Sequence, residues 1–129
     1  YNKLKGLPTS FCKLTSLVTL DLSENRFLSL PENFSQLAAL EELDLKSNRL
    51  KALPASFGDL AVLKSVNAMY CELQALPSSF CNLGVLKSLN CMANELMALP
   101  DDFGELRSLT TVNLSNNALV ALPESFCCL

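Results

Sequence analysis

The carboxylates of the N-terminal third are the residues of this chain whose types and spacing could support chemistry. Asp21 and Asp44 are 23 residues apart, and Glu41-Glu42 lies just before Asp44. Paired carboxylates can act as general acid and base, or they can bind a cation. Acid–base work also needs a pocket that shifts a pKa, and nothing in the sequence supplies one. We therefore interpret these residues as a solvated acidic strip that is relieved by Lys46 and Lys64.

Other reactive groups are scarce. The sequence contains no histidine and no tryptophan. A Ser-His or Cys-His nucleophile pair is therefore impossible, because the base is missing. The sequence also lacks a Cys-x-x-Cys pair for zinc and a glycine-rich phosphate loop. We predict no catalytic residue, no metal site and no cofactor, and therefore no enzyme activity in this segment.

A strict 23-residue repeat organises the chain. A phenylalanine follows three residues after the proline of every Leu-Pro pair, and a leucine follows three residues after that. A period held this strictly predicts a repeat array, in which each unit buries its apolar face against its neighbours. The Leu-Pro pairs fall at 7-8, 30-31, 53-54, 76-77, 99-100 and 122-123. We divide the single array 1-129 into a partial repeat 1-16, full repeats 17-39, 40-62, 63-85 and 86-108, and a truncated repeat 109-129.

Each repeat opens with the alternation of a short β-strand. In Leu20-Asp21-Leu22 the two leucines are predicted to point inward and the aspartate outward. A strand this short is stable only if it pairs with the equivalent strands of its neighbours in a parallel sheet. An asparagine such as Asn25 then follows, and its inward side chain can satisfy backbone groups of the turn. Cys71 replaces it in one repeat, and because a thiol is a weaker partner we expect a slightly looser turn there.

The proline of each repeat begins the return segment. The fixed φ of Pro31 suits the first position of a helical turn, where its missing N–H would be unpaired in any case. Phe34, Leu37 and Leu40 then recur at three-residue spacing. This spacing predicts a 3₁₀ turn or one to two turns of α-helix, with its apolar side chains in a shared core.

The full pattern, LxxLxLxx(N/C)xL followed by LPxxFxxL, resembles the leucine-rich repeat. The 23-residue Leu-Pro form is similar to that of the intracellular Ras-group and Scribble-like leucine-rich-repeat proteins, although those more often have Ile where this chain has Phe. The resemblance implies an α/β fold, a right-handed leucine-rich-repeat solenoid with the shape of a horseshoe arc. It places a parallel β-sheet on the concave face and short 3₁₀ or α turns on the convex face. It implies no particular function, because the fold hosts many.

The cysteines are predicted to be free thiols. Cys12, Cys81 and Cys127 occupy the same repeat position as Ser35, Gly58 and Gly104. We call such a set of equivalent positions in successive repeats a column, and the residues of this one indicate a position that needs a small side chain. Repeats stack ~4.8 Å apart, so the Cα atoms of column members two repeats apart are separated by ~10 Å. This distance exceeds the ~7 Å Cα–Cα limit of a disulfide. Buried thiols favour a reducing, cytoplasmic location. Whether the adjacent Cys127 and Cys128 form a disulfide stays open. The six cysteines are Cys12, Cys71, Cys81, Cys91, Cys127 and Cys128.

The outward strand positions predict the binding surface. Met69 and Met92 share one outward column on neighbouring repeats, beside Tyr70. Such side chains suit a partner-binding patch, because a thioether adapts its shape and a tyrosine ring is amphipathic. The alternative is that they are incidental or fold over the sheet. The predicted partner-binding set is Met69, Met92, Tyr70, Lys64, Lys87, Asn67, Asn90, Asp44 and Lys46.

We therefore predict a non-catalytic protein–protein interaction scaffold, with a signalling role, that presents its concave sheet to a protein partner. Two alternatives stay open: the ligand-sensing ectodomain of a receptor, and the substrate-recognition arm of a multidomain signalling enzyme. The net charge of −3, with both signs interspersed, argues against nucleic acid or a membrane as the partner. We expect further repeats or domains beyond both ends of the segment. The use of the glycosylation sequons at Asn33 and Asn113 is left open.

Overall fold

A computed structural model describes residues 2–129 as a five-stranded parallel sheet backed by short 3₁₀ turns. The strand order follows the chain, β1 to β5, so every strand pairs with its sequence neighbours. Equivalent positions pair across repeats, as in Leu20 with Leu43 and Leu43 with Val66. The predicted repeat fold is thereby confirmed, except that Tyr1 of the predicted partial repeat lies outside the described residues. The strands are β1 Thr19–Asp21, β2 Glu42–Asp44, β3 Ser65–Asn67, β4 Ser88–Asn90 and β5 Thr111–Asn113.

The return segments are 3₁₀ turns in every described repeat, which selects one of the two predicted options. In the second repeat the Phe34 N–H donates to the Pro31 carbonyl at 2.9 Å, and the Leu37 N–H donates to the Phe34 carbonyl at 3.2 Å. These bonds reach three residues back, and the resulting period of three keeps the apolar residues on one face. The turns span Thr9–Lys13, Phe34–Gln36, Phe57–Asp59, Ser78–Asn82, Phe103–Glu105 and Glu124–Cys128.

The core lies between the sheet and these turns. Phe34, Phe57 and Phe80 are fully buried, and their rings stack in sequence with centroids 6.2 and 5.8 Å apart. Burying one Phe or Leu side chain contributes about 1.5–3 kcal/mol. The buried residues of successive repeats form one hydrophobic cluster, so the core is continuous along the array, and the repeats stabilise one another.

Asparagine side chains hydrogen-bond to the turn after every strand except β3. Asn48 is buried, and its carbonyl oxygen accepts a hydrogen bond from the Phe27 N–H at 3.0 Å. Its amide donates to the Leu22 and Leu45 carbonyls at 3.0 and 2.8 Å, so it joins two repeats. The predicted role of this column in satisfying the turn is therefore confirmed. Asn25, Asn94 and Asn117 also donate to backbone carbonyls of the turn and accept from a backbone N–H of the preceding repeat.

Cys71 makes fewer bonds at the same position. Its thiol keeps the inter-repeat contact, donating to the Leu45 carbonyl at 3.2 Å. The Leu50 N–H, which corresponds to the Phe27 N–H, has no hydrogen-bond acceptor among residues 2–129. The backbone nevertheless follows the course of the other repeats, with Tyr70 at φ 54°. The thiol is thus the weaker partner that the sequence predicted, and the cost is lost hydrogen bonds rather than a changed path.

All six cysteines are free thiols in this structure. Four of them are buried, as the repeat phase predicted, whereas Cys127 and Cys128 are exposed. Burial raises the pKa of Cys71 to about 11 and that of Cys91 to about 12. The buried thiols are therefore protonated and unreactive at neutral pH. Within residues 2–129 no helix is long and apolar enough to cross a membrane.

Candidate functional site

Three of the predicted binding residues occupy the third position of neighbouring strands. Asp44 of β2 pairs in register with Asn67 of β3, and Asn67 pairs with Asn90 of β4. The strand partners stand about 4.8 Å apart. Their side chains point away from the core and are half-buried on the sheet surface. The structure therefore brings these predicted site residues together in one row.

The residues of this row end the strands, a role that sequence reasoning missed. The Asp44 carboxylate accepts a hydrogen bond from the Lys46 N–H at 2.8 Å, and the Asn90 side chain accepts one from the Met92 N–H at 3.1 Å. Asp21 accepts from the Ser23 N–H in the same way at 2.8 Å. The signal was available, because an Asp or Asn two residues before a turn N–H is the pattern of an Asx turn.

Asp21 is the carboxylate of the acidic strip that hydrogen bonds stabilise in its charged form. Hydrogen bonds from the Ser23 side chain and then from its backbone N–H hold the pKa of Asp21 below its usual range. One oxygen of Asp44 accepts from the Lys46 N–H, and the other accepts from the Asn67 amide at 3.1 Å. A carboxylate with a lowered pKa, such as Asp21, does not serve as a general acid at neutral pH. Among residues 2–129 no group of three or more Cys, Asp or Glu side chains is placed to hold a metal ion.

The lysines pair with glutamates rather than with the aspartates. Lys64 Nζ lies 2.8 Å from Glu41 Oε2, and Lys46 Nζ lies 3.8 Å from Glu24 Oε1. Lys64 therefore pairs with a member of the acidic strip, as predicted, whereas Lys46 pairs with Glu24, which the prediction did not include. Both pairs are solvent-exposed, so each contributes at most about 1 kcal/mol. Their effect is to order the lysines that border the strip.

Met69, Tyr70 and Met92 form an apolar row just beyond the ends of β3 and β4. The Tyr70 N–H donates to the Met92 carbonyl at 3.0 Å, which fixes the two repeats side by side. The Met69 sulfur lies 3.8 Å from the Asn90 amide nitrogen. Both methionines are half-buried, and Tyr70 is 51% exposed. The row is therefore accessible, and it lies at the carboxyl margin of the sheet rather than at its centre.

The concave face is acidic and polar in one part of the array and apolar in another. An open depression of about 280 Å³ lies over β1 and β2, and its polar lining includes Asp21, Glu42, Asp44 and Asn67. The apolar row lies beyond the carboxyl ends of β3 and β4. Lys87 precedes β4 at the opposite margin, where it is exposed and forms no ion pair within residues 2–129. An elongated partner that crosses several repeats would contact the acidic and the apolar parts together.

A family model described as Leucine Rich Repeat matches residues 16–37, 39–60 and 108–129, about half of the chain. These three segments overlap the predicted repeats 17-39, 40-62 and 109-129, each beginning one residue earlier. No curated protein matches the chain.

Solved structures are similar over almost the whole chain. A leucine-rich-repeat protein of Leptospira interrogans is 28% identical with a TM-score of 0.79, covering 97% of this chain and 38% of that one. A PEPR1–AtPEP1 complex is 32% identical with a TM-score of 0.88, covering 99% and 19%. A TLR13–ssRNA13 complex is 33% identical with a TM-score of 0.84, covering 99% and 20%. The chain thus spans well under half the length of each of these structures.

Proposed function

The chain belongs to the leucine-rich-repeat family, and from this premise we propose that it is a non-catalytic scaffold whose concave face binds a protein partner. The observation that carries the proposal is the accessible row of half-buried Met69 and Met92 and exposed Tyr70, at the margin of a sheet whose other outward residues are polar. A row of exposed apolar side chains with a polar rim is typical of an interaction site. The membership of the Ras-group or Scribble-like subtype stays a prediction from the Leu-Pro motif.

Rigidity supports binding by this face. Backbone hydrogen bonds cross every repeat junction beside the row, including the Ser47 N–H to the Met69 carbonyl at 2.9 Å and the Ala93 N–H to the Ser115 carbonyl at 2.9 Å. The backbone under the row is therefore ordered before a partner arrives, and association loses little conformational entropy. The methionine side chains keep the local adaptability that fits them to a protein surface.

The test compares partner capture by three forms of the chain. The wild type, Met69→Ala/Met92→Ala and Met97→Ala are immobilised, and the captured proteins are identified and titrated. Met97 is 63% exposed and lies off the apolar row, so it is a matched methionine control. We expect the double variant to weaken a captured partner by about 2 kcal/mol or more, as for hot-spot residues, and Met97→Ala to leave it unchanged. Equal affinity of all three forms would refute this binding surface.

Ligand sensing is the second candidate function. Its support is that two similar structures are complexes, PEPR1 with AtPEP1 and TLR13 with ssRNA13. The acidic depression over β1 and β2 opposes a nucleic-acid ligand on the concave face, because phosphates would meet Asp21 and Asp44 there. Full-length flanking sequence separates the scaffold, the receptor ectodomain and the recognition arm of an enzyme, since each requires different neighbouring segments.

A cytoplasmic location is part of the same proposal. It is supported by the four buried free thiols, Cys12, Cys71, Cys81 and Cys91. Protein purified without reductant is denatured, and its thiols are titrated. We expect six free thiols in total, of which only the exposed Cys127 and Cys128 react before denaturation. A titre below six would point to disulfides and to an oxidising compartment.

A further inference from the structure

One lateral edge of the solenoid concentrates half of the cations of this acidic chain. The edge is formed by the segments that follow the asparagine turns in the first three repeats. Five of the ten Lys and Arg residues lie there, although the net charge of the whole chain is −3. All five are exposed, and none forms an ion pair within residues 2–129. This basic edge consists of Lys3, Lys5, Arg26, Arg49 and Lys51.

Backbone hydrogen bonds place these cations side by side. The Arg26 N–H donates to the Leu4 carbonyl at 2.9 Å, and the Arg49 N–H donates to the Phe27 carbonyl at 3.0 Å. The turn segments therefore stack at nearly the spacing of the strands, about 4.8 Å. Residues that are 23 apart in sequence become neighbours in one column. No side chain within residues 2–129 forms an ion pair with these cations, so an anion bound to the column would relieve their mutual repulsion.

An apolar residue lies within the cations. Leu28 is 60% exposed, and with Lys5, Arg26 and Arg49 it lines an open depression of about 280 Å³. Among residues 2–129, no aromatic side chain lines this depression. Sequence-tolerant binding of single-stranded nucleic acid combines a basic groove with aromatic side chains that stack on the bases. A leucine framed by cations instead matches a segment in which an apolar side chain is flanked by carboxylates.

We propose that the basic edge binds an acidic peptide segment of a partner protein, with carboxylates on Arg26 and Arg49 and an apolar side chain on Leu28. This site is separate from the concave row, so it goes beyond the function proposed above. A second copy of this chain fits less well. The same edge carries Glu72 and Glu95 in the following repeats, but two carboxylates do not balance five cations.

The probe is a fluorescent peptide in which pairs of glutamates flank a leucine, titrated by anisotropy against the 129-residue chain. A peptide with glutamines in place of the glutamates is the control ligand. We expect the acidic peptide to bind and the glutamine peptide to fail. Binding should weaken steeply with added salt, because the contacts are exposed charge pairs.

The variant is Arg26→Glu/Arg49→Glu, and its matched control is Lys13→Glu/Arg107→Glu, which changes the net charge equally at exposed cations elsewhere. We expect the first to weaken peptide binding by roughly tenfold or more and the second by less than about twofold. Equal weakening by both variants means attraction by net charge alone and overturns the proposal. Circular dichroism of both variants verifies that they are folded.

Two further outcomes would overturn either the proposed class of partner or the proposed binding face. If an oligouridylate of equal charge binds more tightly than the acidic peptide, and if Arg26→Glu/Arg49→Glu abolishes that binding, the partner is a nucleic acid and the peptide proposal is overturned. Peptide binding lost in Met69→Ala/Met92→Ala but retained in Arg26→Glu/Arg49→Glu would move the site to the concave face. Loss in the arginine variant alone supports the basic edge whatever the concave face binds.

Discussion

Gly58 lies against the backbone of Ser79 in the next repeat, and its N–H donates to the Ser79 hydroxyl oxygen at 3.2 Å. A Cβ at position 58 would overlap the Ser79 carbonyl oxygen. Gly104 has the same relationship to Ser125, with a hydrogen bond of 3.0 Å. In both cases the following repeat has the longer 3₁₀ turn, which begins directly after its proline. The predicted need for a small residue in this column is thus a steric need at two of its positions.

The first prediction concerns this close approach. Gly58→Ala should lower the free energy of unfolding by about 1–3 kcal/mol, because the backbone of a neighbouring repeat must move. Gly84→Ala is the control, since the nearest atom to its Cβ would be 3.9 Å away. It should be neutral or slightly stabilising, because alanine restricts the unfolded chain. Urea unfolding measures both, and equal midpoints for the two variants would contradict the steric interpretation.

The second prediction concerns the incomplete turn at Cys71. Cys71→Asn should raise the free energy of unfolding by about 1 kcal/mol, because the new side chain can accept from the Leu50 N–H and donate to turn carbonyls. The reverse change, Asn48→Cys, should lower it by about 1–3 kcal/mol, because the Phe27 N–H loses its acceptor. Thermal or urea unfolding tests the pair. A destabilised Cys71→Asn would show that the pocket around this thiol has closed against an amide.

The third prediction concerns the left-handed residue of each turn. Glu24, Ser47, Tyr70, Ala93 and Asn116 have φ between 53° and 56°. A side chain in this conformation costs roughly 1–2 kcal/mol, which glycine avoids, although glycine loses more entropy on folding. Ala93→Gly should therefore be neutral or stabilising by up to about 1 kcal/mol.

The control for this prediction is an alanine with negative φ. Ala98 is exposed and lies outside the left-handed set, so Ala98→Gly should be destabilising by some tenths of a kcal/mol. Thermal unfolding of the two variants gives the comparison. Equal losses of stability in both would show that position 93 carries no backbone strain.

The fourth prediction concerns pH. Burial raises the pKa of Cys91 from 9.0 to about 12. Above pH 9 the unfolded chain releases this proton while the folded chain retains it, so stability is complete below pH 9 and falls as the pH rises toward 12. One such thiol lowers the free energy of unfolding by about 1.4 kcal/mol per pH unit in that range.

Cys91→Ala isolates this effect, because alanine occupies the equivalent buried position at Ala68. The difference in unfolding free energy between the wild type and the variant should shrink as the pH is raised from 9 to 11. If this free-energy difference stays constant between pH 9 and 11, the pKa of Cys91 is the same in the folded and the unfolded chain.

The concave binding set was predicted residue by residue, and its geometry is only partly what the sequence suggested. Asp44, Asn67 and Asn90 do form one row, and Met69 and Met92 do occupy neighbouring repeats. The row of Asp and Asn side chains, however, caps strand ends, a role that follows from bonds to N–H groups two residues on. Whether this set binds a partner stays a prediction.

The sequence alone determined the architecture. A fixed period with inward Leu, Phe and Asn columns leaves one solution, in which equivalent residues stack and the strands pair in parallel register. Phe34 recurs in every repeat because it has the same packing role in each, and Asn48 recurs in all repeats but one because it has the same hydrogen-bonding role. The parallel sheet and the buried thiols follow from these roles, whereas the choice of 3₁₀ over α-helical turns came from the structure.

Only the tertiary structure decided which residues of neighbouring repeats contact one another. Lys64 pairs with Glu41, Gly58 contacts Ser79, and Arg26 stands beside Arg49, because stacking brings residues about 21 to 23 positions apart within hydrogen-bond or ion-pair range. Which of several nearby charges pair depends on side-chain reach and on the offset between neighbouring coils, and a linear pattern contains neither. For the same reason the net charge of −3 concealed a basic edge, which exists only when the repeats are stacked.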